Sequence, residues 1–96
     1  MSLFRNQTLL YIEIDCGTDV TIADLAHILY SKPDGTQGLW IPQLIGTTLK
    51  YDFVDGDIDQ SGNWQFQGYV EITGRKAYTD IITKTFLEPI YIPLIP

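Results

Sequence analysis

Gly56-Asp57-Ile58-Asp59-Gln60-Ser61-Gly62-Asn63-Trp64-Gln65-Phe66-Gln67-Gly68-Tyr69-Val70 is the stretch whose reading decides the fold. Its first half concentrates Asp, Gly and Ser, which close polar turns and are disfavoured inside both helices and strands. From Trp64 onward the character changes. Trp64, Phe66, Val70 and Ile72 fall on one side, and Gln65, Gln67, Tyr69, Glu71 and Thr73 on the other. A period of two describes a strand with one face in a core and one in water. The stretch therefore predicts an acidic corner that feeds a long strand over residues 63–73. Gly68 inside that strand predicts a bulge or the close approach of another backbone.

The same alternation extends in both directions. Leu10, Ile12, Ile14 and Cys16 alternate with Tyr11, Glu13 and Asp15, which predicts a first strand over residues 9–16. Residues 19–25 read either as a short capped helix or as a loop. The loop is preferred, because Ala26, Ile28, Tyr30 and Lys32 resume alternation with His27, Leu29 and Ser31. Lys32-Pro33-Asp34-Gly35 is a hairpin turn: proline presets φ and glycine accepts a positive one. A short return strand over 37–42 ends at Pro42. Leu49, Tyr51 and Phe53 set against Thr48, Lys50 and Asp52 give a further amphipathic strand. After a hairpin at Thr73-Gly74-Arg75-Lys76, a last strand is expected over 77–86. Strands recurring roughly every 8–12 residues with polar turns between them predict an all-β sandwich of about seven antiparallel strands.

Residues 87–96 differ. Leu87-Glu88-Pro89-Ile90-Tyr91-Ile92-Pro93-Leu94-Ile95-Pro96 holds three prolines and a single charge. Proline removes donors and favours extended backbone, yet the segment is too apolar to prefer water. It is read as an extended apolar C-terminal arm beside a domain spanning 1–86, lying along its own domain or along a neighbour.

Ninety-six residues with 45% hydrophobic and 19% charged content suit one globular domain. Six basic residues face 12 acidic ones, for a formal charge of −6, and the basic residues are scattered. That balance repels phosphate backbones, so no nucleic-acid partner is expected. Apolar runs fall far short of the roughly 20 residues of a membrane span, so no membrane partner is expected either. Residues 1–7 lack the apolar core of a signal peptide, which points to a cytoplasm or to a particle assembled there. The single cysteine forms no internal disulfide.

Reactive constellations are hard to assemble from this chain. Asp57, Asp59, Ser61 and Gly62 match the opening of a calcium loop, but Gly68 stands where the closing glutamate belongs. The stretch is therefore read as a structural corner whose Asp side chains bond nearby backbone N–H groups. His27 has no partner at metal or nucleophile spacing, and Cys16 reads as a small core residue. Asp15, Asp19, Asp24 and Asp55 are dispersed. No catalytic residue, cofactor, metal or small-molecule substrate is expected. Trp64 belongs to the core; the direction of Trp40 stays open. Tyr11 and Tyr69, on faces otherwise polar, are the candidates for exposed contacts.

Lys32-Pro33-Asp34-Gly35, then Leu39-Trp40-Ile41, then Asp57-Ile58-Asp59-Gln60-Ser61-Gly62-Asn63-Trp64 followed by Gln67-Gly68-Tyr69-Val70 form a series over about residues 12–86. This series resembles small immunoglobulin-like β-sandwich proteins of tailed-bacteriophage virions. The resemblance implies a single immunoglobulin-like β-sandwich that serves as a neck, tail, baseplate or capsid-surface module. It also implies other virion proteins as partners, in multiple symmetric copies, and assembly in a host cytoplasm. The partner-binding residues expected are Ile90, Tyr91, Ile92, Leu94 and Ile95 of the arm, with Tyr69 and Tyr11. The alternative is a carbohydrate-binding adhesion module, with Trp40, Tyr69 and Tyr11 exposed in a row.

Overall fold

Apolar side chains at every second position give the main strands one face that must leave water, and the fold answers by closing two sheets on a shared core. A computed structural model of the chain describes Leu3, Arg5 and residues 10–88. No helix occurs among the described residues, which form eight strands. These are β1 (Tyr11–Asp15), β2 (Leu25–Ser31), β3 (Gln37–Trp40), β4 (Gln43–Ile45), β5 (Thr48–Asp52), β6 (Gly62–Ile72), β7 (Arg75–Tyr78) and β8 (Ile82–Phe86). Every pairing between these eight strands is antiparallel. A small sheet has the order β1-β5-β4; in the large sheet β3-β2-β6, the far side of β6 is shared by β7 and β8.

Ile12, Ile14 and Leu49 of the small sheet meet Ile28, Trp40, Trp64, Phe66 and Val70 of the large one, with Val20, Phe53, Ile58 and Phe86 completing the core. Each large apolar side chain withdrawn from water contributes on the order of 1.5–3 kcal/mol. Aromatic rings dominate one end. Trp40 stacks on Tyr51 at 4.6 Å between centroids and 10° between planes, and Tyr30 lies tilted 4.6 Å from Trp40 and 5.9 Å from Trp64. No polar or charged side chain among the described residues is buried.

The turns follow the sequence. Gly35 has φ +88°, and Lys32 donates its N–H to the Thr36 carbonyl at 2.8 Å to close the β2–β3 hairpin. Thr73 and Gly74 both have positive φ, the geometry of a two-residue hairpin loop. Residues 19–24 form a loop, as expected, plugged into the core by Val20. The corner is built on Asp57, whose Oδ2 accepts from the Val54 N–H and the Tyr51 hydroxyl, both at 2.8 Å. The Trp64 indole N–H donates to the Gln60 carbonyl at 3.0 Å and ties the strand back to the corner.

Two expectations need correction. First, eight strands are present where about seven were expected, and one of them, β4, is a three-residue strand paired with β5. Only Leu44 of that segment packs against the core, so no periodicity marks it in sequence. Second, the expected continuous strand over 77–86 is two strands. Tyr69 lies opposite Tyr78 and Phe66 opposite Ile82, so three steps on β6 face four on its partner. One residue is therefore inserted: a β-bulge. Thr79 organises it, accepting the Gly68 N–H on Oγ1 at 2.8 Å and donating its own N–H to the Gly68 carbonyl at 3.0 Å. A Cβ at Gly68 would lie 2.9 Å from Thr79 Cγ2 and 3.1 Å from Leu49 Cδ1. The bulge expected at Gly68 thus sits on the strand opposite, and side chains rather than a backbone crowd the glycine.

Candidate partner-docking face

Strand register determines which side chains share the outer face of the large sheet. Gln37, Ser31, Gln65 and Thr83 form one cross-strand row, and Leu39, Leu29 and Gln67 the next. His27, Tyr69 and Tyr78 form a third, and Leu25, Glu71 and Lys76 a fourth. Only this last row is charged, and there Glu71 faces Lys76. Apolar groups stand in the open: Leu39 is 49% exposed and Tyr78 63%. The Tyr69 and Tyr78 rings meet at 4.9 Å, tilted by 46°. Loss of solvent, reinforced by a hydrogen bond to Glu71, pushes the Tyr69 hydroxyl pKa up.

The outer face of the small sheet has the opposite chemistry. Tyr11 lies opposite Asp52, Glu13 opposite Lys50 and Asp15 opposite Thr48. Lys50 Nζ sits 4.4 Å from the centre of the Tyr11 ring and 3.9 Å from Asp52 Oδ1. Hydrogen bonds from the Gly17 backbone and then from Thr47 hold the Asp15 carboxyl below its usual range. Burying such a surface strips water from several carboxylates at once, whereas the centres of protein interfaces are depleted in charge. The large sheet presents the face that can be covered at low desolvation cost.

A groove of about 250 Å3 runs over this face between Leu29, Ser31, Gln37, Gln65, Gln67 and Ile81. Ligand pockets for small molecules start at about 300 Å3, so the groove suits one or two side chains of a partner better than a whole small ligand. Gln67 is fixed in place by its Nε2 donating to the Thr79 carbonyl at 2.8 Å.

The sequence-predicted residues separate. Tyr69 lies on the large-sheet face, in a row free of charge, while Tyr11, though 51% exposed, lies among charges on the opposite face. Trp40 is 9% exposed and sandwiched among rings, so an exposed row of Trp40, Tyr69 and Tyr11 does not exist. The reason is pairing: Trp40 lies opposite Ile28, which points into the core. Ile90, Tyr91, Ile92, Leu94 and Ile95 lie outside the described residues. Leu29, Leu39 and Tyr78, which complete the face, were missed. Outward parity with Gln65 and Gln67 marks Leu29 and Leu39 only once the β2–β3 and β2–β6 registers are known.

The calcium-like carboxylates have separate partners: Asp57 holds Tyr51 and Val54, while Asp59 pairs with Lys32 Nζ at 3.0 Å. Asp34 and Gln60 exchange two further hydrogen bonds, at 2.9 and 3.3 Å, and Pro33 lies against Gly62. The Lys-Pro-Asp-Gly turn and the acidic corner therefore clasp each other at one end of the sandwich. Among the described residues no three or more His, Cys, Asp or Glu side chains converge on a common point. Burial, then the Asp15 charge, push the Cys16 thiol pKa up, in keeping with a partly buried apolar role. Compared with models of protein families, with curated proteins and with solved structures, the chain matches none.

Proposed function

We propose that the chain is a non-enzymatic structural protein of a bacteriophage particle that docks on neighbouring virion subunits. The outer face of the large sheet is the main contact, with exposed strand edges and the arm over 87–96 as additional ones. The observation that carries this reading is the charge asymmetry: a chain of net charge −6 keeps three successive rows of one sheet face free of charge. An immunoglobulin-like kinship is supported by Trp64, which opens β6 and bonds back to the corner through its indole. The virion setting is supported by the resemblance carried by the turn and the corner, two motifs that the fold brings into mutual contact.

Purified particles analysed by mass spectrometry should contain the chain. Leu39→Asp and Tyr78→Asp should fold like the parent, because both side chains stand in solvent. Each should nevertheless be incorporated at least about tenfold less, the effect of an uncompensated carboxylate in an interface. Normal incorporation of both variants refutes the docking face. A carbohydrate-binding module is the second reading, favoured by the Tyr69–Tyr78 pair beside Gln67. Glycan binding abolished by Tyr78→Ala, with incorporation intact, would decide for it.

A further inference from the structure

The groove on the large sheet and the segment that follows Glu88 have matching chemistry, and we infer that the groove of one copy receives residues 90–95 of a second copy. This inference rests on the docking reading of the same face and names its occupant.

Leu29, Phe66 and Ile81 give the groove apolar lining, and Gln37, Gln65 and Gln67 line it with carboxamides. No lining residue is charged. Ile90-Tyr91-Ile92-Pro93-Leu94-Ile95 is likewise free of charge and lies between Pro89 and Pro96. Proline-rich backbone cannot continue a regular sheet ladder, so its carbonyls need donors from elsewhere. Glutamine carboxamides supply such donors, and extended proline-rich segments lose little conformational freedom when they dock. A groove with room for one or two side chains fits Ile92 and a neighbour.

Geometry selects a second copy over the same one. The Leu87 N–H donates to the Leu3 carbonyl and the Arg5 N–H to the Leu87 carbonyl, both at 2.8 Å. Arg5 Nε donates to both carboxylate oxygens of Glu88, at 2.9 and 3.0 Å. The chain is thus pinned beyond Phe86, which lies opposite Gly62, whereas the groove lies back at the level of Gln65 and Gln67. β8 runs from Ile82, opposite Phe66, to Phe86, opposite Gly62, away from the groove, so entering its own groove would require the chain to double back after Glu88. Eight residues at about 3.3 Å each reach roughly 26 Å, enough to cross a four-strand sheet about 19 Å wide. Such a contact joins two different surfaces and builds a ring or an open row of copies.

Sedimentation velocity of the full chain over a dilution series tests this. The parent should sediment above the monomer and dissociate on dilution. Ile92→Asp in the arm, and the double variant Gln37→Glu/Gln65→Glu in the groove lining, should each weaken self-association at least about tenfold, since each puts carboxylates into an uncharged contact. An equimolar mixture of the two variants should recover a heterodimer, because one supplies an intact groove and the other an intact arm. A parent that stays monomeric, variants that associate like the parent, or a mixture that stays monomeric overturns the inference. None of these results touches the docking reading itself, which is decided by particle incorporation of Leu39→Asp and Tyr78→Asp.

Discussion

Tyr51 shows how one side chain ties the core to the corner. Its ring stacks on Trp40 while its hydroxyl donates to Asp57, whose same oxygen accepts the Val54 N–H. Loss of solvent and then the Asp57 carboxylate push the Tyr51 hydroxyl up to about 12. An unfolded tyrosine releases its proton near pH 10, so between about 10 and 12 the unfolded state binds fewer protons. The contribution of Tyr51 is intact below pH 10 and is lost as pH rises through the folded value. The urea midpoint should therefore fall between about pH 10 and pH 12, and fall less in Tyr51→Phe. At neutral pH, Tyr51→Phe should cost about 1–2 kcal/mol for the lost hydrogen bond. In sequence, Tyr51 is legible as an inward residue of an amphipathic strand and Asp57 as a corner residue. Their bond is not, because it depends on how the chain returns from Phe53 through the turn.

Among the elements, the bulge between β7 and β8 has the largest effect on what faces outward. Tyr78 and Phe86 stand eight residues apart, an even spacing that places both on one face of an unbroken strand. With one residue inserted, Tyr78 is 63% exposed and Phe86 1%. Thr79 and Gly68 hold this change of phase. Thr79→Val keeps the shape but orphans the Gly68 N–H, with an expected loss of about 1–3 kcal/mol. Gly68→Ala drives a methyl against Thr79 and Leu49, and overpacking of this kind costs about 1–3 kcal/mol. Urea unfolding of the two single variants and the double variant should show losses that do not add, since both act on the same contact. Gly68 was visible in the sequence as an irregularity. The partner that explains it lies 11 residues away on another strand, and a period-two reading of residues 77–86 has no means of showing a phase change that hydrogen bonding across the sheet creates.

At the scale of the molecule, two faces of opposite character flank a core in which both indoles are enclosed, Trp64 at 0% and Trp40 at 9% exposure. Acrylamide should quench native tryptophan fluorescence far less than that of free tryptophan, and urea should abolish the difference. Strong quenching in the native protein would contradict the enclosed position of Trp40. The all-β character, the inward residues of β1, β2, β5 and β6, the corner at Asp57 and the Lys-Pro-Asp-Gly turn were determined by the sequence alone. Each rests on local alternation or on turn chemistry, which neighbouring residues carry by themselves. Only the tertiary structure decided that Tyr69 and Tyr11 lie on opposite faces, that Leu29, Leu39 and Tyr78 join Tyr69, and that the turn and the corner clasp. Those relations are set by strand order, register and a one-residue insertion, quantities that arise between segments distant along the chain.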